Sequence, residues 1–315
     1  MKLISIIFSF RNEEENIPEL ITRSVNVLEK NTINYEIIFI NDYSSDNSLQ
    51  LLKKYHKKNS KIKVINMSRN FGGTPSILAG FKYAKGDALI YLDSDLQDPP
   101  ELFPALIKKW EEGYDVVHTT RQKREGENPF KMFITNLAYK TISLLANTNI
   151  RKNSGDFKLL SRKAINSILN LTEYDPFLRG MPSWIGFNQT EVFYVRKPRY
   201  SGTTKFSLWK LGTNPYQEFL RGILSFSNLP LYISFFLGII IFIYPIFHIL
   251  LIFYKHLIYD SELPFLSFII LSNMAFSGLI LIILGILGFY VGSIHRSIRN
   301  RPQYIIDSFI GFNNK

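Results

Sequence analysis

Residues 91–100 read YLDSDLQDPP. Asp93 and Asp95 flank Ser94, Gln97 follows two positions on, and Asp98 stands directly before Pro99-Pro100. The five residues ahead of them, 88–92, are all apolar. Unneutralised carboxylates this close together repel one another, and burying them costs more still. Either a cation is shared there or the group is a solvated turn. Hard cations take carboxylate and amide oxygens and complete their shell with water and substrate phosphates. Asp93, Asp95 and Gln97 are therefore candidate ligands for a divalent metal, Mg2+ or Mn2+. Acidic turns are common; the apolar strand before this one and the extra amide oxygen after it favour the metal. Asp98, ahead of Pro99-Pro100-Glu101, is expected to be a helix N-cap and is set aside.

The elements that must position these groups alternate regularly over the first 120 or so residues. LISIIFSF, EIIFIN, KVINM, ALIYLD and DVVHTT are apolar runs of strand length. Helical patterns separate them, with Asp46 and Thr74-Pro75 as helix-start signals and Pro99-Pro100 opening another helix. Alternation of this kind predicts a doubly wound, mostly parallel α/β sheet. Such sheets bind ligands at the carboxyl ends of their strands. That edge collects Ser9, Arg11 and Glu13 after the first strand, Asn41 and Asp42 at the end of the second, and Arg121 after the fifth. No segment matches G-x-x-x-x-G-K-[ST] or G-x-G-x-x-G, so phosphates are not expected on a glycine-rich loop.

Beyond Arg121 the pattern loosens. Residues 130–145 read as an amphipathic helix headed by Lys131, SGDFKLLSR leads into another helix, and QTEVFYVR is a strand. Residues 206–228 mix large apolar side chains with Lys210 and Arg221, the pattern of a helix lying in a membrane interface or packed on the soluble domain. Residues 229–254 and 264–294 carry no Asp, Glu, Lys or Arg. At ~1.5 Å per residue each can cross a ~30 Å hydrocarbon core. Only KHLIYDSE lies between, so a transmembrane hairpin is expected, with both flanks on one side. Arg221 ahead of it and Arg296, Arg299 and Arg301 after it place those flanks in the cytoplasm.

The whole chain of 315 residues carries a formal charge of +11 and no cysteine, which excludes a disulfide framework and thiolate chemistry. A positive balance suits nucleic acid, anionic lipid or a phosphorylated substrate. No nucleic-acid module is recognisable, and the hairpin favours the other two. The N-terminus opens as a strand rather than a signal peptide.

Several motifs stand in order along the chain: RNEEEN, INDYSSD, RNFGG with AGFKYAKGD, YLDSDLQDPP, SGDFKLLSR, RYSGTTK and YVGSIHRSIRNRPQYI. Together they resemble the family 2 glycosyltransferases of GT-A fold, in the polyprenyl-phosphate branch that includes the dolichol-phosphate mannose synthases. The resemblance implies a GT-A catalytic domain over 1–205, an interfacial helix over 206–228, a hairpin over 229–294 and a basic cytoplasmic tail over 295–315. It implies that Ser9, Arg11, Glu13, Ile40 and Asp42 surround the nucleotide base and ribose. Asp93, Ser94, Asp95 and Gln97 would hold metal and diphosphate, with Asp95 counted among the catalytic residues. Arg121, Arg199 and Lys205 would meet phosphates, and Asp156 would sit at the reaction centre. Apart from the resemblance, Lys131 at the head of the 130–145 helix is a candidate to face the lipid phosphate, with a solvated surface charge as its alternative. Three positions depart from the family pattern: Ser9 replaces a proline, Arg11 a tyrosine, and Asn41-Asp42-Tyr43-Ser44 stands for DDGS. All three touch the nucleotide pocket, where UDP is the expected nucleotide.

The expected activity is inverting transfer of a sugar, with UDP-glucose or another UDP-hexose as donor, to polyprenyl (undecaprenyl) phosphate at a bacterial inner membrane. A processive polysaccharide synthase and a membrane-tethered, non-enzymatic partner of a flippase are the alternatives. The first lacks a Q-x-x-R-W acceptor motif; the second conflicts with the full acidic set. The sugar is not legible. Gly288 and Gly292 form a G-x-x-x-G from which a dimer or tetramer is expected, with the ordinary frequency of glycine in membrane helices as the alternative. Ending the chain near Phe226 is expected to leave a folded, donor-binding domain. Asp156 is bordered by Lys152, Lys158 and Arg162, so a structural salt bridge is its alternative role.

Overall fold

The computed structural model describes residues 2–124, 154–171, 173, 176–196 and 265–312, with scattered positions between 231 and 258. Lys131, Arg199, Lys205 and the expected helices over 130–145 and 206–228 lie outside the described residues. The chain divides into two units, Met1–Ser225 with Arg301–Lys315, and Phe226–Asn300.

The first unit is built on one eight-stranded sheet. Its strands are β1 (Leu3–Phe10), β2 (Asn34–Asn41), β3 (Ile62–Met67), β4 (Ala88–Asp93), β5 (Val116–Arg124), β6 (Ser154–Ser161), β7 (Gln189–Arg196) and β8 (Ile306–Ile310), in the spatial order β7-β5-β6-β4-β1-β2-β3-β8. The helices that connect them are α1 (Ile17–Lys30), α2 (Ser48–Lys58), α3 (Gly73–Tyr83), α4 (Phe103–Glu111), α5 (Arg162–Leu169) and the short α6 (Met181–Trp184). The β1–β2, β2–β3, β1–β4 and β5–β7 pairs are parallel. Strand β6 runs antiparallel between β4 and β5, and β8 runs antiparallel along β3. The expected α/β, mostly parallel, Rossmann-like sheet is what the chain forms.

Helices cover both faces, which is why the central strands read as near-continuous apolar runs. Ile6, Phe8, Ile37, Phe39 and Ile90 pack with α1, α2 and α4. Their neighbours Ile7, Ile38, Ile40, Leu89 and Tyr91 pack with α3 and α5 on the other face. Glu36 is a carboxylate set among these apolar side chains. Glu36 accepts bonds from Ser5 Oγ at 2.6 Å, Lys85 N at 2.6 Å and Lys63 Nζ at 2.6 Å. Burial pushes its pKa up, but Lys63, Ser5 and the Lys85 N–H outweigh that and hold it below the usual glutamate value. Its stabilisation is therefore present above the unfolded-state pKa and fades as pH falls through the lowered folded value. Glu36→Ala should cost about 3 kcal/mol, read as a lower urea midpoint at neutral pH, because it leaves three donors without their acceptor.

Two helix starts differ from the expected positions. Helix α3 begins at Gly73 behind a left-handed Gly72, φ 98°, so Pro75 lies inside its first turn. Asn47 is the cap residue of α2, while Asp46 Oδ1 accepts the N–H of Ser48 at 3.1 Å. Residues 306–310, taken from sequence as part of a basic tail, are strand β8. Phe309 stacks edge-on with Tyr83 at 4.8 Å and with Phe312 at 5.3 Å. The expectation of an intact domain ending near Phe226 needs revision, since that cut also removes β8 and bares the edge of β3. Residues 1–226 should aggregate on purification, and grafting 301–315 back onto them should restore a soluble, monodisperse protein by size exclusion.

In the second unit, helix α7 (Phe265–Ile298) spans 34 residues. Its segment Phe276–Ile298 has a mean hydropathy of 2.2 and none of its apolar window is buried inside the protein. By length and composition this helix can cross a membrane. The described positions between 231 and 258 are helical. A second complete span is not among the described residues.

Candidate functional site

Parallel pairing brings the carboxyl ends of three strands into line. Ser9 on β1 lies opposite Ile40 on β2 and opposite Asp93 on β4. Arg11 and Glu13 follow β1, Asp42 follows β2, and Ser94, Asp95 and Gln97 follow β4. The nine edge residues proposed from sequence between Ser9 and Gln97 thus share one edge. Side-chain bonds stitch its loops together. Glu13 Oε2 accepts from Asn16 Nδ2 at 2.6 Å, and the Glu13 N–H donates to Ser48 Oγ at 3.2 Å. The Asp42 carboxylate takes the N–H groups of Phe71 at 2.7 Å and Gly72 at 3.0 Å, which fixes the loop leading into α3. Burial raises its pKa against the pull of those two amides and of Arg11 and Arg69.

The turn after β4 concentrates negative charge. Ser94 and Asp95 are buried, Asp93 is half-buried, and Leu96 holds a left-handed φ of 60° that folds the turn back. Asp95 Oδ1 accepts the N–H of Gln97 at 3.2 Å. Asp93 is pushed up to about 7 by burial, then by the negative charges of Asp156, Asp95 and Asp98, with Arg179 opposing. A cation there would relieve that repulsion. Among the described residues no three acidic or histidine side chains converge on a closed metal cage. Two hard carboxylates with an amide nearby suit an ion that takes the rest of its shell from water and a bound diphosphate.

Strand β6 supplies the facing group by alternation. Asp156 and Lys158 project to the α3 side, and Gly155 and Phe157 to the α1 side. Arg179, which follows Leu178 ahead of α6, forks onto Asp156: Nε donates to Oδ1 at 3.0 Å and to Oδ2 at 2.9 Å, and Nη2 to Oδ2 at 2.7 Å. Burial works to raise the Asp156 pKa, but the Arg179 guanidinium, with Lys158 and Arg121 behind it, takes it down to about 2. Lys158 is fully buried and donates to the Arg179 carbonyl at 3.1 Å, so it ties the backbone that presents the fork. Burial lowers its own pKa to about 8 against the attraction of Asp156. The salt bridge weighed as the alternative role of Asp156 exists, with a partner 23 residues downstream that the local charge pattern does not indicate.

On the other side of β6, Arg121 lies over Gly155. A Cβ at position 155 would sit 2.3 Å from Arg121 Nη2, so glycine leaves the guanidinium its place. Arg121 Nε donates to Tyr194 Oη at 3.0 Å, and Tyr194 Oη donates to Asp98 Oδ1. Asp98 also lies 3.6 Å from Arg121 Nη2 and 3.6 Å from Arg196 Nε. It is fully buried, so the N-cap role expected for it is wrong. The 3-10 turn that follows begins after Pro99 with no side-chain cap. Asp98 instead anchors Arg121. Sequence reasoning missed Arg179, Tyr194 and Arg196 as well. Full burial of an acid beside prolines is a tertiary fact, but the inward Tyr194 between outward Phe193 and Val195 was legible as strand alternation.

The family model described as Glycosyl transferase family 2 matches residues 5–169. The putative glycosyltransferase CsbB of Bacillus subtilis is 39% identical over 305 residues, covering 96% of this chain and 91% of that protein. A bactoprenol glucosyl transferase of Shigella phage SfII is 35% identical over 307 residues, covering 96% of this chain and 97% of that one. Among solved structures, S. aureus TarS 1–349 in complex with UDP-GlcNAc is 21% identical, with a TM-score of 0.48 over 71% of this chain and 66% of that chain. A family match over more than half of the sequence, with relatives this similar along nearly their whole length, settles membership: the chain belongs to glycosyl transferase family 2.

Proposed function

We propose that the protein transfers a hexose, with UDP-glucose as first candidate donor, to polyprenyl (undecaprenyl) phosphate with inversion at the anomeric carbon. One relative's name, bactoprenol glucosyl transferase, supports this choice of acceptor and sugar. The observation that carries the reading is the meeting of Asp93, burdened by neighbouring negative charge, with Asp156 under the Arg179 fork, at the carboxyl edge of the sheet. The edge residues Ser9, Arg11, Glu13, Ile40, Asp42 and Ser94 enclose the nucleotide. Asp93, Asp95 and Gln97 hold a divalent ion, Mg2+ or Mn2+, that would offset charge on the donor diphosphate. An oxygen of the lipid phosphate attacks the anomeric carbon as the bond from that carbon to the diphosphate oxygen breaks, and its electron pair leaves with UDP. Arg121, with Arg199, Lys205 and Lys131, meets phosphate charge. Asp156 orients the reactants and steadies positive charge developing at the anomeric carbon.

The same reading puts residues 1–205 in the cytoplasm, an interfacial helix over 206–228 and two spans over 229–254 and 264–294 in a bacterial inner membrane. A chain so anchored holds its lipid acceptor at high local concentration. It assembles as a dimer or tetramer through the glycines of α7, where a side chain added at Gly288 would meet no atom of the described residues within 4 Å. Gly288→Leu should then lower the detergent-extracted mass measured by light scattering; an unchanged mass rejects that interface. For the activity, purified protein in undecaprenyl-phosphate liposomes is offered UDP-glucose, UDP-galactose, UDP-GlcNAc, UDP-GalNAc and GDP-mannose. Glycolipid from one UDP-hexose supports the reading, and none from any donor rejects it.

A further inference from the structure

Left-handed backbone at residues other than glycine occurs five times among the described residues, and three of those cluster at the site edge. Asn12 (φ 53°), Tyr43 (φ 59°) and Leu96 (φ 60°) follow β1, β2 and β4. Asn12 explains itself, because its amide bridges the neighbouring loop: Oδ1 accepts the Ser45 N–H at 2.8 Å. Leu96 is buried beneath the acidic turn. Tyr43 does neither. The residue is 57% exposed, although glycine or asparagine would hold the same backbone more cheaply.

The residues on both sides of Tyr43 are fixed without its help. Asp42 donates its N–H to the Phe10 carbonyl at 3.0 Å and uses its carboxylate on Phe71 and Gly72. Ser44 gives its N–H to Asn41 Oδ1 at 3.0 Å and receives the Asn12 N–H on Oγ at 2.9 Å. Asn41 is itself held by Asn66 Oδ1 at 2.7 Å. A rigid frame therefore presents one aromatic ring to solvent beside the strand ends where Ser9 and Ile40 meet. Single exposed apolar residues are ordinary. An exposed ring kept on a strained backbone, at an edge where function tolerates strain, is not.

We propose that Tyr43 is a base-stacking residue of the donor site that sets its affinity for nucleoside diphosphates, its ring lying on the planar base. This rests on the reading of that edge as a nucleotide-sugar pocket. Stacking tolerates any base, so Tyr43 supplies affinity for the base while hydrogen-bonding groups around it choose among bases.

Binding of UDP to the full-length, detergent-solubilised protein tests this by calorimetry, with melting temperature recorded for each variant. Tyr43→Phe should match the wild type in both. Tyr43→Leu keeps the backbone strain and loses the ring, so its melting temperature should stay while UDP binds about tenfold more weakly, equivalent to about 1.4 kcal/mol. Tyr43→Gly should bind as weakly yet melt about 2–4 °C higher, since the strain is gone. Wild-type affinity in Tyr43→Leu overturns the proposal, whatever Tyr43→Gly does, because a loss confined to glycine would come from a loosened loop. A wild-type protein that binds neither UDP nor GDP removes the donor-site reading itself, and this inference with it.

Discussion

Asp156→Asn should lower glycolipid formation by about a thousandfold at every pH from about 6 to about 9, a loss of the size seen when one electrostatic stabiliser of a transition state is removed. The flatness of that loss is the informative part. A phosphate monoester gives up its second proton near pH ~6, so the lipid acceptor is mostly a dianion at neutral pH. A carboxylate whose pKa lies at about 2 is also a poor receiver for any proton that remains. Transfer from a group of pKa ~6 to one of about 2 is uphill by about 4 units, or about 5 kcal/mol. On the proposed reading Asp156 acts through its charge, and ionising the acceptor by raising the pH should not rescue the Asn variant. A rate that climbs toward wild type with pH would make Asp156 a base. Arg179→Ala supplies the complementary sign. Without the guanidinium, burial is no longer outweighed and the Asp156 pKa rises, so an acid limb absent from the wild type should enter the pH profile. No new limb in that variant would separate the fork from the function of Asp156.

The sheet was legible because its signals are local. Each of the five apolar runs named from sequence is a strand, and the rule that ligands meet strand carboxyl ends brought Ser9, Asp42 and Asp93 to one edge. What stayed hidden depends on contacts far apart in the chain. Asp98 looks like a cap beside Pro99-Pro100, and only the arrival of Arg121, Tyr194 and Arg196 makes it a buried anchor. Arg179 has no motif around it and owes its place to the register of β6 and a carbonyl tie to Lys158. Strand β8 is five residues long and follows an apolar helix, so composition assigned it to a tail. Its antiparallel pairing with β3 could not be inferred from alternation, which it hardly shows.

Asp93→Asn should move stability and turnover in opposite directions. In the metal-free protein the Asp93 carboxylate is disfavoured by burial and by Asp156, Asp95 and Asp98, which is why its pKa rises to about 7. The sign follows from linkage: a group whose folded pKa is raised stabilises the fold while it is protonated and ceases to as pH climbs through the folded value. An asparagine cannot ionise, so the variant should melt about 2–4 °C higher than wild type at pH ~8, with the gap closing below pH ~7. The wild-type protein should recover that gap when Mn2+ is added, and the variant should not, because the charge that draws the ion has gone. Transfer should meanwhile fall by about a thousandfold, as it should in Asp95→Ala and in wild type treated with a chelator. The repulsion that weakens the empty site is, on this account, what makes it attractive to a cation and its diphosphate. An Asp93→Asn protein with wild-type melting at pH ~8 and full activity in chelator would reject the metal assignment, and the buried acidic turn after β4 would then have a structural role alone.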